Sequence, residues 1–349
     1  MKTTLTFLLA FTLSLTIANA NESPTPLGGG QMPAVTSDAK GNLHLVYGLG
    51  DNLLYRYSSD KGRTFSKPQL IATIKDLLDF ATRGPQIAVT ENGLSVLAPT
   101  KVGNIWSFIK TGNGKWIKTA RINDVDSVNG EGFVALGSNG KSKLCAVWYD
   151  LRGNRRNKLY GSTSEDGGKT WSANSKVYSS PDTTICECCR TTLAMRGNKV
   201  YVMFRNQLYG KRDLYVISSS DAGKTFGQPK KLGIGTWELN GCPMDGGDIT
   251  ITADGTVQTV WRRESKVFFC EPGKPETAIG EGRSSTLESI NGEPAFAWIT
   301  KGNVICLLPN GTSRNLGKGD SPVLKTINNK NLLCIWENEK QLYSTIITL

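Results

Sequence analysis

The sequence predicts an all-β protein, a β-propeller of seven blades with six as the alternative count, and three observations predict it. A motif of the form S-x-D-x-G-x-T-aromatic occurs three times, as SSDKGRTF from Ser58, SEDGGKTW from Ser164 and SSDAGKTF from Ser219. A Leu-Tyr pair or a relative of it recurs along the chain, at Leu54-Tyr55, Ile105-Trp106, Leu159-Tyr160, Leu214-Tyr215, Val267-Phe268, Val304-Ile305 and Leu342-Tyr343. Upstream of each pair lies another strand ending near an aromatic (Tyr47, Trp148, Phe204, Trp261, Trp298 and Trp336, with Ala98 as the exception). Short alternating strands separated by Gly, Asn and Asp turns are the pattern of repeated antiparallel blades.

The elements follow in order. MKTTLTFLLAFTLSLTIANA opens with one Lys, continues as an apolar run and closes on small residues. This is the order of a secretory signal peptide, so residues 1–20 are expected to be removed after Ala20 and the mature protein to be secreted or periplasmic. Later apolar runs are too short to cross a bilayer. Residues 21–349 then read as one domain of seven units, opened by PAVTSD, PQIAVTE, FVALGS, TTLAMRG, DITITAD, STLESING and PVLKTINN. The last unit ends soon after its third strand. The segment Pro26–Gly30 is expected to supply its outer strand, an edge position that tolerates proline. Net charge is +11, spread over scattered lysines with no basic block, which describes a solvated surface rather than a nucleic-acid partner. Oligomeric state is left open.

Asp60, Asp166 and Asp221 are equivalent in the three motifs, where Asp suits capping of turn amides and Gly an unusual dihedral. These residues identify the motif as an Asp-box, and the chain resembles the sialidase-like (BNR) β-propeller superfamily. The resemblance implies that the boxes are structural and lie on the turns between third and fourth strands. Working groups are then expected on the opposite face, carried by strand 2–3 turns and blade connections.

Spacing between the aromatic columns locates the unusual loops. The step is eight residues in units one and two, twelve in unit three, eleven in unit four and seven in the rest. The long turns, YDLRGNRRNK and RNQLYGKR, neighbour two unusual connections, SPDTTICECCR into unit four and GIGTWELNGCPMDGG into unit five. One sector of one face therefore carries Cys186, Cys188, Cys189, Cys242 and Met244. Soft sulfur donors favour copper(I), with zinc second because it wants four thiolates. Disulfides are the competing reading: Cys186 or Cys188 with Cys242, or a vicinal Cys188–Cys189 bond. Four further cysteines (Cys145, Cys270, Cys306, Cys334) sit in apolar strands and read as small core residues. The lone histidine, His44, falls in a strand of unit one and reads as an ordinary strand residue.

A sialidase site, as the resemblance implies, needs three arginines on a carboxylate, a Tyr–Glu nucleophile pair and an acidic acid/base. The Arg-Ile-Pro motif of that family's first blade is missing, since the position reads GQMPAVTSD. Arg83, Arg190 and Arg283 open units two, four and six, and Tyr343 belongs only to the Leu-Tyr column. The catalytic assignment is unknown, with Arg190, Arg283, Asp150, Glu187, Asp245 and Asp248 as candidates and Asp213 and Glu238 as further acids. Arg152, Arg205 and Trp237 are candidate ligand contacts. Three functions stay open: a propeller holding a metal on its cysteine-rich loops, a glycoside hydrolase for acidic sugars, and a non-catalytic glycan- or protein-binding propeller with disulfide-tied loops.

Overall fold

The computed structural model describes residues 23–182 and 184–349, and the expected leader, residues 1–20, lies outside the described residues. Among the described residues the strands form seven antiparallel sheets, six of four strands and one of five, each a blade. Blade one is Gln31–Ser37, Leu43–Leu49, Asn52–Ser58 and Gln69–Thr73, and its neighbours repeat that order. All seven openers coincide with innermost strands, from Gln31–Ser37 to Asp320–Thr326. The count is seven, as the repeats predict, and the alternative of six is set aside.

Strand residues alternate between the two faces of each blade, and adjacent blades bury the inward sets against each other. The core is accordingly divided into wedges, one per blade interface. Val46, Leu53, Val96 and Phe108 lie between blades one and two. Cys145, Val147, Val202 and Phe204 lie between three and four, and Cys306, Cys334 and Trp336 between six and seven. Cys270 is buried between four and five. The four strand cysteines are thus free and buried, as expected of small hydrophobes. His44 is buried in blade one, its Nδ1 2.8 Å from the Tyr55 hydroxyl.

The ring closes as the prolines suggest. Thr25–Gly29 pairs antiparallel with Gln341–Thr348 and forms the outer edge of blade seven. Its pairing starts before Pro26 and shifts register between Pro26 and Gly28, where the chain bulges.

Each Asp-box sits on its third-to-fourth strand turn. The Ser58 hydroxyl donates to Asp60 Oδ1 (2.8 Å), while Thr64 donates its amide to Oδ1 (3.0 Å) and its hydroxyl to Oδ2 (2.6 Å). Gly62, at φ 85°, donates its amide to Ser58 Oγ. Ser164–Asp166–Thr170 and Ser219–Asp221–Thr225 repeat this network.

Candidate functional site

Blade four departs from the repeat. Its innermost strand is split: Thr184–Ile185 pairs with Gln207 and Asn206, and pairing resumes at Thr192 with Met203. Residues 186–191 therefore bulge opposite only Phe204 and Arg205, and this excursion is the cysteine loop. It is anchored at both ends, since Cys186 donates its amide to Arg205 O (3.0 Å) and the Thr191 hydroxyl donates to Met203 O (3.0 Å).

The sulfurs of the loop converge. Cys186 Sγ lies 3.5 Å from Cys189 Sγ and 3.8 Å from Cys188 Sγ, and Cys188 and Cys189 are 3.9 Å apart. Cys188 is bonded to Cys242 across 54 residues of sequence, joining the connection into blade four to that into blade five. That bond removes the vicinal Cys188–Cys189 alternative and the Cys186–Cys242 alternative, because Cys186 and Cys189 are free and fully buried.

Cations surround Cys186. Arg212, at the end of the extended blade-four turn, donates Nη1 to Cys186 Sγ (3.1 Å) and Nε to Leu239 O (3.2 Å), bridging the two cysteine connections. Arg205 is buried and donates to the carbonyls of Asp245, Arg212 and Arg262 at 3.2, 2.6 and 2.8 Å. A hydrogen bond with Cys189 and the charges of Arg205 and Arg212 hold the Cys186 thiol below its ordinary range against the opposing effect of burial. Cys189 moves the other way, pushed up first by burial. Beneath them the fully buried Tyr149 hydroxyl finds no hydrogen-bond partner among the described residues and feels the charge of both sulfurs.

The structure brings Cys186, Cys188, Cys189 and, through its disulfide, Cys242 together; Met244 is 59% exposed on the same connection. Asp245 is buried, accepts the Ser284 amide at 3.0 Å and lies 3.6 Å from Arg262. Asp248 is half-buried and accepts the Thr286 hydroxyl. Burial raises both carboxyls, and nearby arginines oppose it. Asp150 is held by both Nε and Nη2 of Arg152, each at 2.8 Å, and Arg152 also pairs with Asp124, so both candidates are engaged within blade three and its approach. Glu187 and Glu238 are exposed, and Asp213 is buried beneath Lys231 and Thr236. Trp237 is buried with the Arg205 and Arg262 guanidinium groups 5.2 and 5.4 Å from its ring.

The three blade-opening arginines separate. Arg83 and Arg190 line the central channel with Asp248 and Glu288. Arg83 donates Nε to Glu131 O (2.5 Å), and Arg190 donates to the carbonyls of Gly247 and Ser285. Arg283 instead pairs with Asp320 at 2.7 Å on the surface. Sequence reasoning missed Arg212 and Tyr149. Arg212 stands in the arginine-rich turn already singled out by its length, whereas Tyr149 carries no signal beyond its place in a buried strand.

A model of the BNR repeat-like domain matches residues 14–233. A lectin of Burkholderia pseudomallei, BP39L, superposes with a TM-score of 0.63 at 10% identity, covering 92% of this chain and 96% of the lectin. A virginiamycin B lyase of Staphylococcus aureus superposes with a TM-score of 0.55 at 10% identity over 94% and 98% of the two chains. AofleA of Arthrobotrys oligospora gives 0.52 at 11% identity over 94% and 89%. These likenesses establish a shared fold. No curated protein sequence matches, and among the described residues no helix is long and apolar enough to cross a membrane.

Proposed function

The chain belongs to the BNR repeat-like family, and from that premise we propose that this sialidase-like propeller is an exported protein that binds a soft metal ion, copper(I) foremost, on the cysteine loop of blade four. Export rests on the signal-peptide character of residues 1–20. One observation carries the metal reading: the ligand atoms of Cys186, Cys188 and Cys189 lie within 4.8 Å of one another.

Thiolate sulfur is the donor type that selects copper(I) over hard cations. Arg205 and Arg212 favour the charged form of Cys186 that a metal requires. With the disulfide formed, Cys186 and Cys189 are the thiols on offer. Reduction adds Cys188 and Cys242, the four-sulfur set that zinc would want, and Met244 stands beside Cys242 as a thioether. Fold membership alone assigns no chemistry, because one scaffold carries many functions.

The test is competition of the purified mature protein against a chromophoric copper(I) chelator, before and after reduction. We expect one tightly held copper(I) per chain, lost in a Cys186→Ser/Cys189→Ser double variant. Retention no better than the variant's sinks the reading.

A second reading is favoured by the channel, where Arg83 and Arg190 face Asp248 and Glu288. Such a mouth suits an acidic sugar, bound as a lectin binds or hydrolysed. Fluorophore release from a sialoside, abolished by Arg190→Ala, would mark hydrolysis; glycan binding without release would mark the non-catalytic form.

A further inference from the structure

Three of the four loop sulfurs form a triangle, and one corner of that triangle is already half of a disulfide. Cys186 Sγ lies 3.8 Å from Cys188 Sγ, close to van der Waals contact for two sulfurs. Cys188 is bonded to Cys242, which is exposed on the next connection, whereas Cys186 is fully buried. A free sulfur beside a disulfide is the starting geometry of thiol–disulfide exchange, which proceeds by attack of one sulfur on another and departure of the third. A disulfide that only tied two loops together would not require a second sulfur against it, still less one that receives a hydrogen bond from a guanidinium group.

We propose that Cys186 exchanges with the Cys188–Cys242 disulfide and thereby moves a reactive sulfur from the interior to the surface. The Cys186 sulfur attacks Cys188 Sγ, a Cys186–Cys188 bond forms, the Cys188–Cys242 bond breaks, and Cys242 leaves as thiolate. One disulfide and one thiolate stand on each side of the step. It balances without an outside oxidant or reductant, the negative charge passing from Cys186 to Cys242.

The surroundings decide which sulfur attacks. Cys189 is nearly as close to Cys188, at 3.9 Å, but Arg212 donates to Cys186 at 3.1 Å and steadies it as the charged partner. Arg212 also donates to Leu239 O, so the same side chain holds the connection that carries the leaving sulfur. After exchange, an exposed Cys242 stands two residues from Met244, itself 59% exposed. A surface thiolate there is open to a disulfide on a second molecule. Attack on that disulfide would give a mixed disulfide with Cys242 and release one thiolate of the partner. The relay uses the sulfurs of the proposed metal site but does not depend on a metal being bound.

The experiment uses the mature protein with its disulfide intact, held in chelator so that metal binding plays no part. A polar maleimide is added, samples are quenched in acid at intervals, and labels and disulfides are assigned by non-reducing peptide mass mapping. The expected result in the wild type is label accumulating on Cys242 while a Cys186–Cys188 linkage appears, and loss of Cys242 labelling in Cys186→Ser. Label on Cys186 with Cys188–Cys242 intact overturns the relay, as does no label on either. Cys242 labelling undiminished in Cys186→Ser overturns it too. If Cys186→Ser does not fold, the site of labelling in the wild type decides by itself. Exchange without copper retention sinks only the metal reading, and copper retention without exchange sinks only the relay.

Discussion

At the residue scale, single carboxylates set how this propeller responds to pH. Hydrogen bonds from the Thr64 side chain and amide hold the Asp60 carboxyl down at about 2, and a similar network lowers Asp166 and Asp221. A group lowered on folding stabilises the fold above its unfolded value, near 3.8, and loses that contribution as pH falls through the folded value. Stability is therefore expected to drop between pH 4 and 2, and chemical denaturation across that window should show a shallower drop in the Asp60→Asn/Asp166→Asn/Asp221→Asn variant. Glu337 runs the opposite way. Burial, reinforced by Asp320 and Asp79, raises it to about 7, although the Met32 amide donates to its Oε2 at 2.6 Å. The folded state then binds a proton more tightly than the unfolded one, so stability falls as pH rises from about 4.5 to 7. Glu337→Gln should flatten that part of the profile.

At the element scale, the split inner strand of blade four and the connection after it act as one unit. The Cys188–Cys242 bond closes a loop across 54 residues of sequence, and loss of such a closure typically costs about 2–4 kcal/mol. Cys242→Ser should lower the thermal midpoint by that equivalent, and reduction of the wild type should lower it similarly. Arg205 serves the same unit from below, donating to three backbone carbonyls. Removing it leaves buried acceptors unsatisfied at about 1–3 kcal/mol each. Arg205→Met is thus expected to shift the urea midpoint far more than Arg283→Met, whose pair with Asp320 is half-exposed and is worth about 0–1 kcal/mol. Equal shifts would show that Arg205 does not anchor the connection.

At the scale of the whole molecule, stability depends on closing the ring. The strand Thr25–Gly29 covers the outer edge of Gln341–Thr348, joining the start of the described chain to its end. Without it that strand presents unpaired backbone groups, a template for pairing between chains. Deletion through Gly29 is expected to lower the thermal midpoint and to produce concentration-dependent association by light scattering, whereas shortening only as far as Pro24 should do neither. The wedge-like cores make this loss cooperative, since Leu27 packs with Leu43 and Leu342 across the blade seven–blade one interface.

The sequence by itself determined the blade count, the Asp-box turns, the closing strand and the sector holding the cysteines. Each is written in a repeat, and a repeat is a local pattern that one chain displays without folding. Which sulfur pairs with which was decided only by tertiary structure. CECC offers Cys242 three nearby partners, and the choice of Cys188 follows from a bulge opposite Phe204 and Arg205 that leaves Cys186 and Cys189 buried. Arg212 and Tyr149 were illegible for the same reason. An arginine in a long turn and a tyrosine in a core strand acquire their roles from sulfurs brought beside them by the folding of blade four and its packing on blade three, over separations no local pattern records.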